Sequence, residues 1–147
     1  MVEPSPEMRP VFASTIIRED SEDYVIVSLN PGEDITSVQS QLTPFVSITY
    51  DYNEISLVLR LNQWLSIKEK VSEFKEEGPY RLITFDIVLD LSLVGYLSVV
   101  STLMAENGVS VYALSTFLRD HILVKKEDAE KAVRLLNDLV NRYKSTN

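Results

Sequence analysis

Cysteine is absent from this chain, which removes disulfide scaffolds, thiolate zinc sites and cysteine nucleophiles together. A cytoplasmic setting is the expectation that follows. Basic charge is scarce: 14 Lys and Arg stand against 22 Asp and Glu, for a net charge of −8. Such a surface repels a phosphate backbone, and no basic stripe interleaved with aromatics offsets it, so nucleic acid is not an expected partner. Long hydrophobic runs are also missing. The longest, around Ile87 to Leu97, is broken by Asp90 and falls short of the roughly 20 residues that a spanning helix needs, so no membrane partner is expected. The opening residues MVEPSPEMRP place acids and prolines where a signal peptide would have a basic and then an apolar region, and they read as a flexible tail over 1–10. Only one histidine occurs, His121. Its neighbour Asp120 would point to the opposite face of a strand, so no Ser-His-Asp set can be assembled and the histidine reads as structural. No catalysis, cofactor or metal is expected.

What is present builds a core. Hydrophobic residues make up 45% and charged residues 24% of 147 positions, ordinary values for a globular protein of one domain or two small ones. VFASTII and YVIVSL read as β runs around the acidic connector REDSED. Glu33 to Leu42 suits a short helix, FVSITY and ISLVLRL suit two strands joined by DYNE, and a helix is expected from about Ile67 to Glu77, stopped by Gly78 and Pro79. YRLITFDIVLD then reads as a strand. Leu93, Leu97, Val100 and Met104 recur at helical spacing up to Gly108, VSVYALSTFLRDHILV forms a hairpin, and Ala129, Val133, Leu136, Val140 and Tyr143 mark a closing helix.

Each half therefore repeats strand, helix, strand, strand, helix. A residue echo accompanies the repeat: Glu54 falls on Asp120, Leu57 on Leu123 and Val58 on Val124. The expected class is α+β, two ferredoxin-like βαββαβ units with antiparallel sheets and helices on one face. The first unit is expected over 11–78 and the second over 79–147, with VFASTII available to complete the second sheet.

The segment GYLSVVSTLMAENGVSVYALSTFLRDHILVKKEDAEKAVRLL resembles the second unit of small tandem ACT-domain proteins, and FVSITYDYNEISLVL is similar to the first. The resemblance extends to the amino-acid-sensing family that includes the animal cytosolic arginine sensor. One departure stands out: Leu93 occupies a position that is glutamate there. The resemblance implies a regulatory, allosteric module that binds a free amino acid or similar small effector where two ACT units adjoin, in a homodimer or higher homo-oligomer. It implies contact positions at Leu93, Val94 and Gly95 at a helix start, Ser110 and Val111 at the adjoining strand, and Ser115, Thr116, Phe117 and Asp120 around the hairpin. The alternative is a protein-interaction adaptor of the same fold, without a small-molecule ligand, whose crevice is filled by side chains such as Leu93 and Phe117.

These residue types suit a zwitterion. A helix N-terminus near Gly95 offers unpaired amides and partial positive charge to an α-carboxylate, and Asp120 offers an anion to an α-ammonium. A glycine within a helix costs about 0.8 to 1 kcal/mol relative to alanine, so Gly95 needs a use, either close ligand approach or close helix-to-sheet packing. Asp120 has its own alternative as a solvated turn carboxylate paired with Arg119. Trp64 is read as a core or interface aromatic.

Overall fold

The computed structural model describes residues 3–144. In chain order its elements are α1 (Arg9–Ala13), β1 (Ile16–Glu19), β2 (Tyr24–Leu29), α2 (Thr36–Gln39), β3 (Ser47–Tyr50), β4 (Ile55–Arg60) and α3 (Leu61–Ile67). β5 (Phe74–Asp86), α4 (Tyr96–Glu106), β6 (Tyr112–Ser115), β7 (Asp120–Lys125) and α5 (Ala129–Lys144) follow. The fold is α+β, and it divides into two units: one is Ser21–Tyr80, and the other joins the residues up to Asp20 with those from Arg81 onward.

In the unit of Ser21–Tyr80 the strand order is β3, β4, β2 and the first part of β5. All three pairings are antiparallel, with Leu29 opposite Ile55 on one side and opposite Phe74 on the other. Alternation drives this arrangement: Val25, Val27 and Leu29 of β2 and Ile55, Leu57 and Leu59 of β4 turn their buried side chains into one cluster with Trp64 and Ile67. Trp64 is fully buried and meets Phe74 edge to face at 5.1 Å, while its indole N–H donates to Glu76.

The expected helix from Ile67 to Glu77 is corrected here. α3 lies earlier, and Phe74 to Glu77 are strand because their backbone pairs with Leu29 to Ile26. Gly78 is not a helix stop either. It lies at the register shift between Tyr24 and Ile26, where a Cβ would sit 3.0 Å from the Tyr24 carbonyl oxygen, so glycine permits a close backbone approach. The helix expected from Glu33 to Leu42 contracts to Thr36–Gln39.

In the other unit, β1 and β7 flank the second part of β5, and β6 lies beyond β7. β1 runs antiparallel to β5, with Ile16 opposite Asp86 and Glu19 opposite Ile83. The run VFASTII thus splits: Val11 to Ala13 are helical and only its end joins a strand. The tail expected over 1–10 contributes to the core from Pro4 onward. Pro4 and Met8 are buried, and Phe12 of α1 stacks on Tyr96 with ring centroids 4.4 Å apart. Thr15 gives its hydroxyl proton to the Val11 carbonyl at 2.8 Å, which leaves the Tyr96 hydroxyl to donate to Thr15 Oγ1 at 2.8 Å.

α4 and α5 supply the remaining core, with Val100, Met104, Leu136 and Leu139 packed on Ile83, Phe85, Ile122 and Val124. The inward stripe of α5 runs through Ala132 and Leu139, whereas Val133 is only partly buried. Arg142 and Lys144 complement the negative end of the helix.

Candidate functional site

Asp90 begins the site. Its Oδ1 accepts hydrogen bonds from the Ser92 amide at 2.8 Å and from the Ser92 hydroxyl, closing a turn that delivers the chain to Gly95. Gly95 caps α4 with φ of 98°, a left-handed conformation that glycine adopts without steric cost. That conformation, rather than helix-to-sheet packing, explains the residue: a Cβ there would meet only Met8 Cε at 3.9 Å. No side chain caps the helix, so its first amides have no intrahelical or capping partner.

The hairpin of β6 and β7 faces this helix start. Ser115 and Asp120 are paired across the ladder, and the Ser115 hydroxyl donates to Asp120 Oδ1 at 2.7 Å. The Thr116 amide donates to the Arg119 carbonyl at 2.9 Å, which closes the tip. The Leu89 amide donates to the Leu118 carbonyl at 2.8 Å, tying the loop before α4 to the tip. Between them lies a crevice of about 290 Å³, at the small end of ligand pockets and of a size for one small metabolite.

Of the residues singled out from the sequence, Leu93, Gly95, Ser115, Thr116, Phe117 and Asp120 line the crevice. Val94 does not; its side chain projects outward and is 85% exposed. Ser110 and Val111 also lie outside the lining; Ser110 is exposed and Val111 packs against the core. The lining adds Tyr96, Leu97 and Ser98 from the helix start, Leu89, Asp90 and Leu91 from its loop, and Leu118 and Arg119 from the tip. Of these, Asp90 has a local signal that the sequence reading missed, a D-x-S spacing suited to a turn.

Arg119 does not pair with Asp120. Its Nε donates to Asp86 Oδ1 at 2.9 Å, and Arg18 Nε donates to the other oxygen of Asp86 at 2.6 Å. The two guanidinium groups, Arg18 first, hold the Asp86 carboxyl below its ordinary pKa. His121 points away from Asp120 into the protein, where Nδ1 contacts Thr84 Oγ1 at 2.9 Å and Nε2 contacts Thr116 Oγ1 at 3.2 Å. Burial pushes its pKa below the ordinary 6.5; Asp120 opposes that shift and Arg119 adds to it.

A stability consequence follows. Because the folded pKa is depressed, the unfolded chain takes up the proton first, so the stability that neutral His121 confers is present above about pH 6.5 and is lost as pH falls toward the folded pKa. Asp86 and Asp90, also depressed, lose their share separately, below 3.8. Urea unfolding at pH 7.5 and 5.5 should show lower stability at 5.5, and His121→Gln should flatten that interval. An equal response in both proteins would refute the assignment.

Tyr96 forms the crevice wall nearest the core, and burial raises its hydroxyl pKa well above the ordinary 10.0, so it is a neutral hydrogen-bonding group. Among the described residues no cluster of His, Cys, Asp and Glu suited to a metal ion occurs, and no helix is long and apolar enough to cross a membrane. The arrangement brings charged and hydrogen-bonding residues together with apolar ones around one crevice.

Residues 76–138 match the family model of the ACT domain. No curated protein sequence matches the chain. Among solved structures, a protein of unknown function from Vibrio cholerae is 24% identical with a TM-score of 0.70, over 88% of this chain and 92% of that one. An Agrobacterium tumefaciens protein is likewise 24% identical with a TM-score of 0.70, over 86% and 89%. The regulatory subunit of aspartate kinase from Thermus flavus is 11% identical with a TM-score of 0.61, over 84% and 95%. What the chain shares with these proteins is the fold, and within residues 76–138 it carries the sequence pattern of an ACT domain.

Proposed function

We propose that this chain is a regulatory protein built of two ACT units and that it binds a free amino acid in the crevice between the start of α4 and the β6–β7 hairpin. One observation carries the reading. The first residues of α4, whose N-terminus no side chain caps, and Asp120 line the same crevice of about 290 Å³. The amides and helix dipole suit an α-carboxylate, and Asp120, with Ser115 on one oxygen, keeps the other for an α-ammonium. Charge-assisted hydrogen bonds contribute on the order of 1.5 to 3 kcal/mol each, and micromolar binding needs about 8 kcal/mol, which a ligand of roughly ten heavy atoms can supply.

Support for two units comes from a repeated turn. Asp34 Oδ1 accepts from the amide of Thr36 at 3.0 Å and from its hydroxyl at 2.7 Å, as Asp90 does from Ser92. Val94, Ser110 and Val111 fit the reading as contacts with a second copy: β6 ends its strand order, Ser110 is exposed just before it and Val94 projects outward. A homodimer with two equivalent sites is the proposed assembly. The adaptor alternative, a crevice filled by Leu93 and Phe117, fits less well because the Phe117 side chain is 75% exposed.

Isothermal titration of the chain with the free amino acids tests the reading. At least one should bind, and Asp120→Asn should weaken it by roughly tenfold or more, the loss of one charge-assisted contact. Silence across the panel at millimolar concentration would sink it.

A further inference from the structure

The crevice holds more chemistry than a zwitterion clamp requires. Its walls carry Leu89, Leu91, Leu93, Leu97, Phe117 and Leu118, an apolar lining contributed from both the helix side and the hairpin side. Its charged groups are Asp90, Arg119 and Asp120. Asp90 spends one oxygen on both Ser92 donors, and Asp120 spends one on Ser115. Arg119 is different: only Nε is engaged, by Asp86, and neither Nη makes a hydrogen bond among the described residues.

The electrostatics of that arginine are unusual for a chain of net charge −8. Arg18 and Arg119 share the single carboxylate of Asp86, so the three groups keep one surplus positive charge beside the crevice. Asp86 also fixes the plane of the Arg119 guanidinium by holding Nε, which presents the two Nη donors as a pre-oriented fork. A fork of that kind matches a carboxylate in bidentate geometry.

We infer that the crevice selects an amino acid with an apolar side chain, and that Arg119 is a specificity residue for its α-carboxylate, positioned by Asp86. The inference rests on the amino-acid reading above and deepens it. Arg119 and the amides of α4 meet the carboxylate from two sides, Asp120 meets the ammonium, and the remaining lining offers six apolar side chains to the substituent. Asp90 is the one lining acid left to answer a cationic side chain, and therefore lysine and arginine are the decisive comparators.

The test is calorimetric titration of the full chain with L-leucine, L-phenylalanine, glycine, L-aspartate, L-lysine and L-arginine, and with L-leucinamide as a probe lacking the carboxylate. Leucine or phenylalanine should bind roughly tenfold or more tightly than glycine and the charged amino acids, and leucine roughly tenfold more tightly than leucinamide. In Arg119→Gln, leucine should weaken toward leucinamide, the α4 amides keeping part of the difference, while leucinamide itself is unchanged, and Asp86→Asn should fall between the variant and the wild type. A variant that loses both probes equally would assign Arg119 a merely structural role and overturn the inference. Preference for lysine, arginine or aspartate would overturn it while leaving the amino-acid reading in place. Silence with every compound would overturn both.

Discussion

Phe12→Ala should lower the unfolding free energy by roughly 3 to 5 kcal/mol, the usual cost of removing a fully buried aromatic ring and leaving a cavity. Phe12 is 1% exposed, and its ring lies nearly parallel to that of Tyr96, with 7° between planes. Tyr96 is held from three directions, by Phe12, by the edge-on ring of Phe85 at 5.8 Å and by the Thr15 hydroxyl. Deleting the first ring thus loosens a residue that lines the crevice, and the amino-acid affinity proposed above should fall along with stability. Urea unfolding followed by far-ultraviolet circular dichroism measures the first effect and calorimetry the second. A change below about 0.5 kcal/mol, typical of surface substitutions, would show that the segment before β1 is not seated in the core.

Trp64→Ala is expected to have a comparable effect, again roughly 3 to 5 kcal/mol, for two separable reasons. The indole is completely buried and packs edge to face on Phe74, so its loss opens a large cavity. Its N–H also donates to Glu76, whose carboxyl is held below its ordinary pKa by Lys68 first and Trp64 second. Trp64→Phe keeps most of the apolar surface but drops that donor, and should cost about 1 to 2 kcal/mol. Since Trp64 is the only tryptophan, circular dichroism rather than fluorescence must follow both variants. Equal losses for Phe and Ala would assign the effect to the hydrogen bond alone, contrary to the packing described.

Much of the fold was legible because it is written in local periodicity. The alternation of Val25, Val27 and Leu29, and of Ile55, Leu57 and Leu59, marks strands whose one face is buried. Helical spacing from Leu97 to Met104 likewise announced α4. The misreadings fall where pairing at a distance overrides local preference. Lys75, Glu76 and Glu77 look helical beside Lys68 to Lys70, yet β2 supplies backbone partners that make them strand. Met8, among acids and prolines, looks like a tail, and Phe12 looks like the start of a strand, yet Tyr96 and its neighbours supply a surface that buries both.

The site divides in the same way. Gly95 and Asp120 stood out as residue types suited to a zwitterion, and Ser115 only through the family likeness of its segment. The alternative that paired Arg119 with its sequence neighbour Asp120 fails, because nothing local reveals that Asp86, 33 residues earlier, is its partner.

By itself, then, the chain determined most of its strands, the helices α4 and α5, the absence of thiol chemistry and the candidate hairpin, since each depends on composition or on spacing along a few residues. Only the tertiary structure decided that the N-terminal segment belongs to the core, that Gly78 serves a close approach and that Arg119 is oriented by Asp86. Those outcomes depend on which distant groups meet, and a buried ring, a crowded carbonyl or a shared carboxylate exists only once the backbone has brought them together.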